Sequence, residues 1–194
     1  MEPLKFILLP IFFAIFCSGK YTPSDLKTAI EVTIVDYVTK KPISVRVKIT
    51  DAKGNVPDLP KEAISIMYGR NDEPERYGYQ PDSSFYIDHH FRLNLKPGKY
   101  NIALSKGIEY LDQTQWIEVK EGEINKLKFE MKRWVKMSDL GWYSADDHIH
   151  IRRSPRENPL IMQWVEAEGL NIGILLQMGD FWSTYFSQYA FGDD

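Results

Sequence analysis

The sequence predicts a β-sandwich followed by one βαβ unit of an α/β fold, and three observations carry that prediction. From Ile30 to Met131 apolar residues recur with a period of two, broken at intervals by turn-forming residues. Past Ala145 the rhythm changes to an extended segment, an amphipathic helical stretch and a nearly continuous apolar run. Ahead of both lies an apolar N-terminus of a different character.

At that terminus Lys5 precedes an apolar run from Phe6 to Phe16. The run falls short of the roughly 20 helical residues that a bilayer span needs, but it has the length of a secretory h-region. Residues 1–17 are therefore predicted to be a signal peptide, and the protein to be exported to a periplasm or a cell surface. Cys17, the single cysteine, follows at once and stands before Ser18 and Gly19, where a bacterial lipoprotein signal carries its lipidated residue. Phe16 is bulky for the preceding position, so ordinary cleavage nearby is the alternative. A lipid on Cys17 is the one membrane attachment expected. With no second cysteine there is no intramolecular disulfide, and stability rests on packed cores and bound metal.

Residues 24–133 are predicted to form an antiparallel β-sandwich. Ile30, Val32 and Ile34 alternate with polar residues up to a Lys40-Lys41-Pro42 turn. Ile43, Val45, Val47 and Ile49 then alternate with Ser44, Arg46 and Lys48, and Asp51-Ala52-Lys53-Gly54-Asn55 turns the chain again. Phe91, Leu93 and Leu95 lead into the Lys96-Pro97-Gly98-Lys99 turn, followed by Tyr100, Ile102 and Leu104. Trp116 to Val119, the Glu121-Gly122 turn, and Leu127, Phe129 and Met131 supply two further strands. Short strands with turns at this spacing make a sandwich.

Residues Val56 to Ser84 interrupt the alternation with Pro57, Pro60, Pro74 and Pro81 and with Tyr68, Tyr77 and Tyr79. The insertion is expected to cover a sandwich edge; the other reading is a tyrosine-lined binding loop. His89 and His90 fall in a strand-like segment from Phe85 to Leu93. Adjacent residues point to opposite faces of a strand, so this pair is assigned a solvent-facing or edge role.

The segment Ala145-Asp146-Asp147-His148-Ile149-His150 places two imidazoles two residues apart on a predicted strand. Regular alternation puts His148 and His150 on one face with Asp146, and Asp147 with Ile149 on the other. Neutral imidazole is a good ligand for zinc, iron or manganese. Asn158 is expected to cap a helix with Pro159 at its first position. Leu160, Ile161, Trp164 and Val165 form its apolar face, and Gly169 stops it. Asn171 to Met178 then reads as a parallel strand covered on both sides, which completes the βαβ unit. Ligands gather at the carboxyl ends of strands in such folds, where the two histidines lie.

Trp142 to His150, Trp164 to Asn171 and Leu175 to Asp180 resemble the opening of a polymerase-and-histidinol-phosphatase (PHP) domain, and more narrowly the CehA/McbA-type metallohydrolases. The segment before them is similar to transthyretin-like or carboxypeptidase-regulatory-like modules. The resemblance implies that residues 141–194 begin a distorted β/α barrel whose divalent ions, Zn, Mn or Fe, activate water to hydrolyse phosphoesters or related esters. It makes His148 and His150 metal ligands and gives Asp146 an orienting role. In that family further ligands come from later strands; Asp180 here is read as a polar residue in a loop or helix cap, the other reading being that it approaches the ion. A barrel of this kind takes on the order of 200 residues, so the chain is expected to be an N-terminal, truncated portion of the enzyme, inactive by itself.

Arg152 and Arg153, with Arg156, follow the histidine strand; they either receive an anionic substrate or are solvated loop charges. Elsewhere 24 basic and 27 acidic residues nearly cancel, with a formal charge of −3, which speaks against a nucleic-acid partner. Two functions of different class follow. One is the N-terminal part of an exported metal-dependent hydrolase acting on a small-molecule or ester substrate. The other is a non-enzymatic exported β-sandwich binding module with a non-functional βαβ remnant.

Overall fold

A computed structural model of the chain describes residues 28–67, 76–78, 80–150 and 157–176. The signal-peptide segment, Cys17, Arg152, Arg153 and Asp180 lie outside the described residues.

Among the described residues nine strands precede the helix-bearing region: β1 (Ala29–Asp36), β2 (Val45–Asp51), β3 (Ile66–Met67), β4 (Arg76–Tyr77), β5 (Phe85–Ile87), β6 (His90–Asn94), β7 (Gly98–Ser105), β8 (Gln113–Val119) and β9 (Ile124–Met131). One sheet has the order β6-β1-β9 and the other the order β5-β2-β7-β8, while β3 and β4 pair separately within the insertion. The alternating residues of the two larger sheets meet in a single core. Ile30, Val32 and Ile34 of β1 face Val45, Val47 and Ile49 of β2 and Ile102 and Leu104 of β7, all buried. Phe85 and Phe91 close one end of that core edge to face, with ring centroids 5.7 Å apart.

The first sheet is mixed instead of antiparallel. β1 pairs antiparallel with β6 but parallel with β9, in register from Ala29 opposite Ile124 to Asp36 opposite Met131. The turn after β8 carries the chain from the second sheet to the first, so β9 enters beside β1 in the same direction. Period-two patterning reads which face of a strand is buried but not the direction of its neighbour. The strand expected from Phe85 to Leu93 is likewise two strands. The chain changes sheets at Asp88 and His89, and the His89 carbonyl accepts a bond from the Ile34 N–H at 2.8 Å.

After a short 3-10 turn (Met137–Leu140) come β10 (Ala145–His150), helix α1 (Asn158–Ala167) and β11 (Ile172–Leu176). β10 and β11 pair in parallel, as the sequence predicts. The helix cap is Glu157, one residue earlier than expected, and it makes no side-chain capping bond; Asn158 and Pro159 form the first turn. Proline is tolerated there because the early N–H groups have no helical partner. Gly169 adopts φ +70°, the left-handed stop that its sequence position predicts.

Helix α1 is buried on two sides, which is why its apolar stripe is wide. Ile161 and Val165 pack with Ile149 and Leu175 of the parallel pair. Ala167 packs with Ile64 and Tyr86, and Trp164 lies on the Tyr86 ring at 5.5 Å. Through this second side the helix docks on the outer surface of the four-stranded sheet. The insertion takes part in that contact, since the Ile64 N–H donates to the Tyr86 carbonyl at 2.9 Å and Ile64 is buried.

Candidate functional site

β10 is where the sequence places the candidate ligands, and its backbone departs from regular alternation. Asp146 is in register with Gly173 and Ile149 with Leu175, so three steps along β10 match two along β11. This is a bulge across Asp147 and His148. One Asp146 carboxylate oxygen accepts the backbone N–H of His148 at 3.1 Å and so satisfies a donor that the bulge removes from the ladder.

The bulge corrects the expectation that Asp146, His148 and His150 share one face. By register Asp146 falls on the side of Gly173 and Ile149, where helix α1 packs, and His150 pairs with Leu176 in the alternate position. The physical reason is the extra residue, since each inserted residue inverts the phase of everything beyond it. Asp146, Asp147 and His148 are all exposed. The structure therefore gives the Asp146 carboxylate a backbone role at the bulge. Among the described residues no group of three or more His, Cys, Asp or Glu side chains is close enough to hold a metal ion.

The start of β10 is firmly anchored. Ser144 donates its backbone N–H to Asn171 Oδ1 at 3.1 Å and its hydroxyl to the Gly169 carbonyl at 3.0 Å, and its carbonyl accepts from the Asn171 and Ile172 N–H groups. Gly173 is needed for close packing: a Cβ there would lie 3.1 Å from Val165 Cγ2 and 3.3 Å from Ile149 Cδ1.

A second polar cluster, absent from the sequence reading, lies where α1 meets the sandwich. Lys106, only 4% exposed, donates from Nζ to the Ser44 carbonyl at 2.8 Å and to the Glu166 carbonyl, with the Glu166 carboxylate 3.5 Å away. Burial pushes its ammonium below the ordinary lysine value, against the pull of Glu166. Nearby, the Tyr110 hydroxyl donates to Asp36 Oδ2 at 2.9 Å, and the Arg133 guanidinium stacks on the Tyr110 ring at 4.3 Å while bonding Glu109 at 2.5 Å. Burial opposes the charge on Asp36, but bonds from Thr39, Tyr110 and Val38 prevail and hold its carboxyl below the usual value. Burial and the bond to Asp36 push the Tyr110 hydroxyl up to about 12.

Lys106, Glu166, Glu109, Tyr110 and Arg133 border a cavity of about 140 Å³ that also reaches Gly169 and Asn171. Each of the charges meets an opposite charge, a hydroxyl or a carbonyl, so the arrangement is suited to holding two parts of the chain together. Its partners are far apart in sequence, and only the tight Gly107–Gly169 approach shows how near the two surfaces come. A Cβ on Gly169 would lie 2.9 Å from Gly107 Cα.

His89 and His90 are half-exposed, with His89 Nδ1 3.1 Å from Asp88 and His90 Nε2 3.6 Å from Glu31. Of the three tyrosines in the insertion, Tyr68 and Tyr79 lie outside the described residues, and only the backbone of Tyr77, in β4, is described.

No protein-family model matches the sequence, and no curated protein matches it. Among solved structures the chain is similar to the group B streptococcus pilus 2b backbone protein, at 15% identity and a TM-score of 0.37, over 60% of this chain and 43% of that one. It is similar to the minor pilin GBS52 of Streptococcus agalactiae at 15% identity and a TM-score of 0.33, over 56% and 45% of the two chains. A third is the Bacillus anthracis TIE protein, at 20% identity and a TM-score of 0.32, over 54% of this chain and 17% of that one. The chain spans less than half the length of each of these proteins.

Proposed function

We propose that the chain is the N-terminal part of an exported metal-dependent hydrolase acting on phosphoester or related ester bonds, with His148 and His150 as ligands from the first strand of a PHP-type barrel. The observation that supports this reading is the parallel β10–β11 pair with α1 between its strands and the histidines in the carboxyl half of β10. In such units the strand carboxyl ends are where ligands bind. The donor chemistry suits Zn, Mn or Fe, and a bound ion of this kind lowers the pKa of water enough to make it a nucleophile near neutral pH. His148 lies exposed at the bulge. Remaining ligands and the substrate arginines Arg152 and Arg153 would come from outside the described residues.

Metal content after dialysis against dilute Zn, Mn or Fe tests the proposal. Bound metal in the parent chain that is lost in the His148→Ala/His150→Ala double variant supports it. Equal, negligible metal in both overturns the ligand assignment.

A second reading is a non-enzymatic exported binding module. It is favoured by the β8 part of the four-stranded sheet's outer face, where Trp116 is exposed beside Lys99 and Glu118.

A further inference from the structure

The exposed large apolar side chains of the described residues gather mostly at one end of the sandwich. That end holds the C-termini of β1, β7 and β9 and the N-termini of β2 and β8, since Asp36 pairs with Met131, Arg46 with Ser105 and Gln113 with Leu104. The chain beyond these strand ends carries Ile108, Leu111, Trp134, Leu140, Trp142 and Tyr143, each more than half exposed. Tyr37 and Val38 join them on the β1–β2 turn. Hydrogen bonds hold the segments side by side. The Leu111 N–H donates to the Lys132 carbonyl at 2.8 Å, Trp134 Nε1 to the Ile108 carbonyl at 2.7 Å, and the Met137 N–H to Glu109 Oε1 at 3.3 Å, while the Trp142 N–H returns to the Met137 carbonyl at 3.1 Å. At the opposite end of the sandwich, among the described residues, Val56 and Ile124 alone are large, apolar and exposed.

Six large side chains exposed to this degree present on the order of 700 Å² of mostly apolar surface. The largest patch on a typical monomer covers roughly 300–600 Å², whereas each partner in a stable dimer contributes about 800 Å². Tryptophan, tyrosine and leucine bordered by charge also have the composition of an interface core with its rim.

The charges decide between partners. Lys41 and Lys132 are exposed and, like the exposed Asp112 next to Leu111, form no ion pair among the described residues; Lys132 lies over the Tyr37 ring instead, at 4.5 Å. An anionic bilayer surface attracts a polybasic patch and disfavours a carboxylate within it. A second copy of the same surface, related by a two-fold axis, brings the carboxylate of each chain to the lysines of the other while the apolar side chains meet. We propose that this end of the sandwich is the interface of a two-fold homodimer, with Trp134 and Trp142 as its apolar anchors and the Asp112 carboxylate facing the lysines of the second copy. This surface is separate from the histidine strand and is independent of any metal bound there.

Sedimentation equilibrium of the full chain over a wide range of concentration tests the proposal. The parent is expected to fit a monomer–dimer equilibrium whose dissociation constant rises at least about tenfold in Trp134→Ser/Trp142→Ser. Trp116→Ser removes an exposed indole elsewhere and is expected to leave the constant unchanged. Asp112→Lys and Lys41→Asp/Lys132→Asp are each expected to weaken self-association through like charges, and their equimolar mixture to recover it. That recovery cannot come from unfolding, and it separates a two-fold interface from non-specific clustering of apolar surface. A parent that is monomeric throughout, an unchanged constant in Trp134→Ser/Trp142→Ser, or a mixture as weak as either charge variant alone overturns it.

Discussion

The sandwich and the β10–α1–β11 unit are built from similar residues yet stand on different footings. The sandwich closes its core between two sheets, with Ile30, Val32, Phe91 and Ile102 fully buried. Among the described residues the parallel pair has a helix on one side only, and on β11 Ile172 and Ile174 are 52% and 48% exposed. Two strands and a helix bury too little to be stable alone. The difference teaches that the second unit borrows stability, because α1 lies between both regions and the buried Lys106 ties its C-terminal turn to the sandwich.

The largest test of that asymmetry is a pair of core truncations. Phe91→Ala should cost about 3–5 kcal/mol and lower the urea midpoint for every part of the chain. Ile161→Ala, of about 2–4 kcal/mol, should raise amide exchange in residues 157–176 while β1 and β7 stay protected. Equal loss of protection throughout would show one cooperative body and break the comparison.

Next in size is Gly169→Ala, which meets both a left-handed backbone and the Gly107 contact. A loss of about 1–3 kcal/mol is expected, read as faster exchange in α1 and β11 without change in β1. Unaltered exchange in α1 would mean that the two glycine backbones do not set the docking.

Asp36 sharpens the comparison from the sandwich side. Its carboxyl titrates below the ordinary 3.8 in the folded chain, so its stabilisation is complete above that value and is lost as pH falls through the folded pKa. The stability gap between the parent and Asp36→Asn should therefore be widest near neutrality and shrink between about pH 5 and about pH 2. A gap independent of pH would deny the carboxylate this role. The smallest effect expected is Tyr100→Phe, which removes the hydroxyl bond to the Lys96 carbonyl across the β6–β7 corner and should cost about 1 kcal/mol in thermal or urea unfolding.

Much of this architecture was legible along the chain. The alternation at Val45, Val47 and Ile49 marked a strand correctly because one side of a sheet must avoid water, and Gly169 marked a helix end because few other residues tolerate its conformation. The His-x-His spacing was legible too, but its geometry was not. The bulge at Asp147 and His148 depends on the neighbouring strand, and no pattern within six residues announces it. Lys106 was equally silent, since its partners Ser44 and Glu166 lie about 60 residues away on either side.

By itself, then, the sequence determined which face of most sandwich strands is buried and where the helix stops, because these follow from local sterics and hydrophobic periodicity. Tertiary structure alone decided the parallel pairing of β1 with β9, the phase of β10 past its bulge and the burial of Lys106. Each of those is fixed by contacts between residues distant in the chain, and such contacts leave no local trace in side-chain order.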